Sequence, residues 1–144
     1  MVSLDMLSVE VKFLIGFIFC LVSGFFIGFE RGSRDKPAGV RTHVMVCMGA
    51  MLFTMLSNFI EPGNPGRIAA NIVIGIGFLG AGIIMHYRGA IIGVTTAATI
   101  WMSAAIGMTI GFGWYLVSVM ATLLSFFVLR MPHFGEHGQP RLKS

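Results

Sequence analysis

Glu30, Arg41 and His43 are the residues of this sequence best placed for acid–base or ion-pair chemistry. They flank one short polar stretch, so Glu30 is positioned to pair with Arg41 or His43 across it. The competing role is that of anchors whose charged ends fix helix depth at a membrane boundary. A second set is hydroxylic. Thr95, Thr99 and Ser103 recur every four residues, which on a helix places three hydroxyls on one stripe. Such a stripe lines a helix interface or a narrow cation path, unless each hydroxyl bonds its own backbone. Asn71, preceded by Arg67, is the one strongly polar residue of its apolar run, and an amide there suits a hydrogen bond between helices. Polar groups inside a bilayer are costly, which makes their positions informative.

Two motifs are misleading. Residues 75–80, with Gly75, Gly77 and Gly80, satisfy the G-x-G-x-x-G dinucleotide pattern, but that pattern needs an acidic residue about 20 positions on to hold the ribose. No Asp or Glu occurs between Glu61 and Glu136. The three glycines read instead as a small-residue face for helix contact. His133, Glu136 and His137 match an H-x-x-E-H zinc pattern, yet Pro132 and Gly135 oppose the rigid helix that pattern requires. Cys20 and Cys47 are isolated in apolar runs and read as small packing residues. No nucleophile–base–orienter set is present, so neither an enzyme nor a cofactor is expected, and no metal site is assigned.

The elements that must position these residues follow from hydropathy. Of 144 residues 56% are apolar and 11% charged, whereas soluble domains carry about a quarter charged residues. A spanning helix needs about 20 largely apolar residues. Such runs occur at 11–29, 40–60 and 68–85, and the uncharged stretch 90–129 is long enough for two. Dividing it at Gly111–Gly113 gives 93–110 and 112–129. Polar turns at 30–39, 61–66 and 86–89 separate the first four runs, and 131–144 forms a short tail. None of the runs alternates apolar and polar residues as barrel strands do. The expected fold is therefore an all-α membrane protein, a bundle of five transmembrane helices.

Charge distribution orients the bundle. With five spans, Arg31, Arg34, Lys36, Arg41, Arg88, Arg130, Arg141 and Lys143 fall on one side, against Lys12 and Arg67 on the other. By the positive-inside rule the N-terminus is expected outside and the C-terminus in the cytoplasm. The first run has no basic stretch before it and no small-residue cleavage site after it, so it reads as a retained anchor. The net charge of +4 and the pI near 9.6 lie in loops and not along a helix face, which argues against nucleic acid. Gly16, Cys20, Gly24, Gly28 and Gly32 form a ladder at spacing four, suited to close approach by a helix of the same chain or of a second copy. A weak internal repeat at an offset of 54 lays the segment 39–43 on 93–97 and the first run on the third, as parallel repeats would.

Gly28 to Arg31, Lys36 to His43, Ser57 with Arg67 to Ala70, Gly75 to Gly82 and Gly93 to Trp101 together resemble the MgtC/SapB family of bacterial inner-membrane proteins, in motif order over roughly residues 13–115. The resemblance implies five spans with an external N-terminus. It further implies a link to growth in low magnesium, to acid stress and, in one branch, to survival inside phagocytes. Family labels divide between magnesium transport and restraint of the proton-driven ATP synthase. In the virulence branch Asn and Cys stand where this chain has Thr95 and Met102, and a folded cytoplasmic domain follows the helices, so the resemblance points to the SapB-like branch.

Two functions follow as expectations. One is a non-enzymatic regulator acting through helix contacts with the lipid-embedded parts of a second copy or of another complex such as ATP synthase. The other is a small cation carrier with Glu30, Asn71, Thr95 and Thr99 near the path. Magnesium usually takes carboxylate ligands, and the mid-membrane positions supply none.

Overall fold

The computed structural model describes residues 2–60, 62–64, 66–87 and 90–132, the side chains of 2–7 excepted. Five helices make up the bulk of the molecule: α1 (Val2–Gly32), α2 (Val40–Ile60), α3 (Gly66–Ile83), α4 (Val94–Gly111) and α5 (Tyr115–Arg130). The first four are long and apolar enough to cross a membrane, while α5 is apolar but has 16 residues. The outward side chains are those that lipid tolerates: Phe78 is 82% exposed, and Leu116 and Ile74 protrude almost as far.

Three boundaries differ from the sequence expectation. Helix α1 starts well before residue 11 and runs past residue 29 to Gly32. Its end is a Schellman-type closure: Lys36 N–H donates to the Arg31 carbonyl at 3.1 Å and Asp35 N–H to that of Gly32 at 3.1 Å. Asp35, at φ 53, takes the left-handed position that such a closure requires. Glu30 and Arg31 thus belong to the helix and not to the polar turn. The second difference lies after α3, where the expected loop is a small antiparallel hairpin, β1 (Met85–Tyr87) and β2 (Ala90–Ile92), with His86 opposite Ile91. Gly93, at φ 90, joins β2 to α4, and its missing side chain leaves room for the Ile83 carbonyl. Third, Gly111 closes α4, and the turn to α5 is made by Phe112, Gly113 (φ 81) and Trp114. Glu61, Pro65, the hairpin tip at 88–89 and, from residue 133 on, the expected tail with the zinc-like pattern set aside above lie outside the described residues.

Helix α2 occupies the centre, packed on α4 and α1, and α3 leans on α4. Glycines set these approaches. A Cβ at Gly24 would stand 2.6 Å from Val44 Cα, and one at Gly28 would strike Val40. On the other flank, a Cβ at Gly107 would strike the Cys47 carbonyl, and one at Gly111 would stand 2.7 Å from that of Met51. Such close backbone approach is how helices associate in lipid, where no hydrophobic force draws them together. The core consists of Cys20, Ile27, Cys47, Met51, Ile106 and Ile110, with a smaller cluster of Ala50, Ile72 and Ala104. The pairs α1–α2 and α3–α4 meet through α2 and α4.

Candidate functional site

Glu30, Arg31, His43, Thr96 and Thr99 are buried at one end of the bundle, where α1 ends and α2 and α4 begin. His43 is fully buried. Its Nδ1 lies 2.8 Å from the Gly39 carbonyl and its Nε2 lies 3.1 Å from Thr99 Oγ1. A carbonyl only accepts, so Nδ1 carries a proton and donates it to Gly39. In the neutral ring Nε2 is then an acceptor, and the Thr99 hydroxyl is its donor. The same hydroxyl lies 2.8 Å from the Thr96 carbonyl. Having one proton, it serves His43 or Thr96 at any moment and not both. A second proton on the ring would turn Nε2 into a donor and send the Thr99 proton to Thr96. His43 therefore ties α2 to α4 through a hydroxyl that has two settings.

Beside it, the end of α1 buries charge. Glu30 is 3% and Arg31 4% exposed. Glu30 Oε1 stands 2.6 Å from Arg34 Nε, one helical turn on, and Oε2 stands 3.5 Å from Arg31 Nη1. Glu30 Oε1 accepts no hydrogen bond and Arg31 Nε has no partner, so the ion pair with Arg34 runs off the N–H direction. The expected pairing of Glu30 with Arg41 or His43 is replaced by these contacts. Because α1 continues beyond Phe29, Arg34 falls within reach of Glu30, while Arg41 points outward from the first turn of α2 and is exposed.

The hydroxyl stripe divides. Thr99 and Ser103 are buried and Ser103 donates to the Thr99 carbonyl at 3.0 Å, but Thr95 is exposed, and the buried hydroxyl of the first turn of α4 is that of Thr96. Thr95 lines, with Thr99 and Met102, an apolar groove of about 390 Å³ between α4 and α5. Asn71 lies on the exposed face of α3, in a groove of about 560 Å³ whose other side is α2 with Gly49 and Phe53. Gly75 and Gly77 have open space where a Cβ would be, whereas Gly80 packs 3.5 Å from Ala97 Cβ. The glycines of the false dinucleotide motif are thus divided between the outward face of α3 and its contact with α4.

Sequence reasoning missed three features. Ser23 accepts a hydrogen bond from Thr122 at 2.9 Å, joining α1 to α5 across 99 residues. Arg31 is buried beside Glu30. Cys20, Cys47 and Met51 bring three sulfurs together. Spacing carries no signal for the first and third, whose partners lie far apart along the chain, and the burial of Arg31 depends on how the end of α1 packs.

Residues 17–136 match the MgtC family. Over 131 residues the chain is 40% identical to a protein of Escherichia coli (strain K12) named "Putative magnesium transporter YhiD", covering 85% of this chain and 61% of that one. It is 43% identical over 112 residues to "Protein MgtC" of Salmonella typhimurium (strain LT2), covering 78% of this chain and 48% of that one. To "Protein MgtC" of Brucella abortus it is 44% identical over 109 residues, or 72% and 46% of the two chains. The chain thus spans about half to three-fifths of the length of these relatives. No solved structure matches.

Proposed function

From the premise that this chain belongs to the MgtC family and is a multi-pass bacterial inner-membrane protein, we propose that it is a non-enzymatic regulator in adaptation to low magnesium or acid stress, working by helix contact with a membrane-embedded partner. The observation that carries the proposal is the outward face of α3, with Asn71 on the groove against α2 and open positions at Gly75 and Gly77. An amide and small residues on a lipid-facing helix are the means by which spanning helices bind one another. The partner is a second copy of the chain or a larger complex such as ATP synthase. In this proposal all five helices span, the N-terminus lies outside, and the cluster around Glu30 and His43 sits at the cytoplasmic boundary. The unit 1–130 is then one transmembrane domain and 131–144 its cytoplasmic tail.

The printed name of the Escherichia coli relative favours a second reading, that of a magnesium or proton-coupled cation carrier. Against it, magnesium usually takes carboxylate ligands, and the one buried carboxylate among the described residues, Glu30, is already paired with Arg34 and Arg31. Flux into proteoliposomes separates the two readings. The regulator passes no magnesium and no protons above empty vesicles. An ion-dependent flux abolished by Glu30→Gln or Thr99→Val overturns it.

A further inference from the structure

We propose that Cys20, Cys47 and Met51 form a binding site for one soft monovalent cation, Cu(I) or Ag(I), at the middle of the bundle. The site lies inside the α1–α2 contact and is separate from the partner-binding face of α3.

Cys20 Sγ lies 3.7 Å from Met51 Sδ, and Cys47 belongs to the same buried cluster. All three side chains are fully buried. Cys47 and Met51 are one helical turn apart on the inner face of α2, and Cys20 faces them from the midpoint of α1. The placement of the thioether is built in: a Cβ at Gly16, one turn before Cys20, would stand 2.5 Å from Met51 Sδ. Glycine there is what admits the sulfur to the helix interface.

Thiolate and thioether ligands select Cu(I) among biological cations, whereas magnesium and calcium demand oxygen. Metal–thiolate bonds run to about 2.3 Å, so two sulfurs 3.7 Å apart share one ion without helix movement. Charge fixes the protonation. In a low-dielectric interior an uncompensated charge is strongly disfavoured, and one thiolate with one monovalent cation sums to zero. One S–H bond therefore breaks and one metal–sulfur bond replaces it. The proton leaves, the Met51 thioether is the neutral second donor, the other thiol stays protonated beside the thiolate, and the oxidation state of the metal does not change. A divalent ion would need both thiols deprotonated, and zinc would need a fourth ligand that three sulfurs do not supply.

The test uses the full chain, reduced and anaerobic in mild detergent. It is titrated with Ag(I) and, separately, with Cu(I) against a chromogenic chelator. The expected result is one tightly held ion and one released proton per chain. Bound copper should show sulfur neighbours in X-ray absorption. Cys20→Ser with Cys47→Ser should abolish this ion, and the volume-conserving Met51→Leu should weaken it at least tenfold. Equal binding by wild type and the double serine variant overturns the site, as does nitrogen-only coordination of copper in the wild type, which needs no variant to fold. Unchanged affinity in Met51→Leu also overturns it.

Discussion

The imidazole of His43 bridges α2 and α4, with Nε2 3.1 Å from Thr99 Oγ1 and Nδ1 2.8 Å from the carbonyl of Gly39. The bridge lies in the most extensive helix contact of the bundle. Thr99→Val leaves the buried His43 Nε2 without a partner, at a cost of about 1–3 kcal/mol, whereas His43→Ala removes the bridge but leaves the Thr99 hydroxyl on the Thr96 carbonyl. In a double-mutant cycle their effects should couple by about 0.5–3 kcal/mol. The readout is the unfolding midpoint in mixed micelles. Strict additivity would remove the bridge from the account.

Charge at the end of α1 gives a second prediction. Glu30 is paired with Arg34 and Arg31, and Arg31 has no other carboxylate partner among the described residues. Glu30→Gln therefore strands a buried guanidinium, and breaking a buried pair from one side costs about 3–5 kcal/mol. Arg41→Gln should leave the same midpoint unchanged, because Arg41 is exposed. The comparison is made by size-exclusion profile and thermal midpoint in detergent. A larger loss for Arg41→Gln than for Glu30→Gln would restore the pairing across the turn.

Glycines that resemble one another in sequence should behave in opposite ways. Gly28→Ala pushes a methyl group into the Val40 backbone, and overpacking of this kind costs about 1–3 kcal/mol. Gly75→Ala meets nothing within the chain, and alanine is favoured over glycine in a helix by up to about 1 kcal/mol. Thermal midpoints should fall for the first and hold or rise for the second. A fall at Gly75 as large as that at Gly28 would contradict the packing described.

Helix α5 is held to α1 by the bond from Thr122 to Ser23 at 2.9 Å. Side-chain hydrogen bonds between helices in lipid average about 0.6 kcal/mol. Thr122→Val should therefore shift the unfolding midpoint only slightly. A loss of folded protein would show that α5 depends on this one contact.

How much of this was legible in the chain depended on range. Hydropathy alone yields the five helices, because each apolar run is longer than any soluble helix would keep uncovered. The division of 90–129 also lay where Gly113 turns the backbone. Local contacts were misread where a helix continued past its last apolar residue. Glu30 then found Arg34 and not Arg41, and Asp35 in place of glycine concealed the helix end. The hairpin at 85–92 was missed because three-residue strands carry too little periodicity to register. Within α4, spacing placed Thr95, Thr99 and Ser103 on one stripe, but which edge of it is buried depends on where α2 and α5 pack. The pairings of His43 with Thr99 and of Cys20 with Met51, over 56 and 31 residues, belong to the tertiary fold alone.

The proposed activity rests on the outward face of α3, and isolation in native lipid particles tests it most directly. Wild-type chain and an Asn71→Leu, Gly75→Leu variant are extracted under identical conditions, and the co-purifying membrane proteins, further copies of the chain included, are identified by mass. The account expects a defined partner with the wild type and its loss from a variant that still folds, since neither position packs within the chain. The same partners recovered with both chains, or a wild type always recovered alone and monomeric, would contradict it.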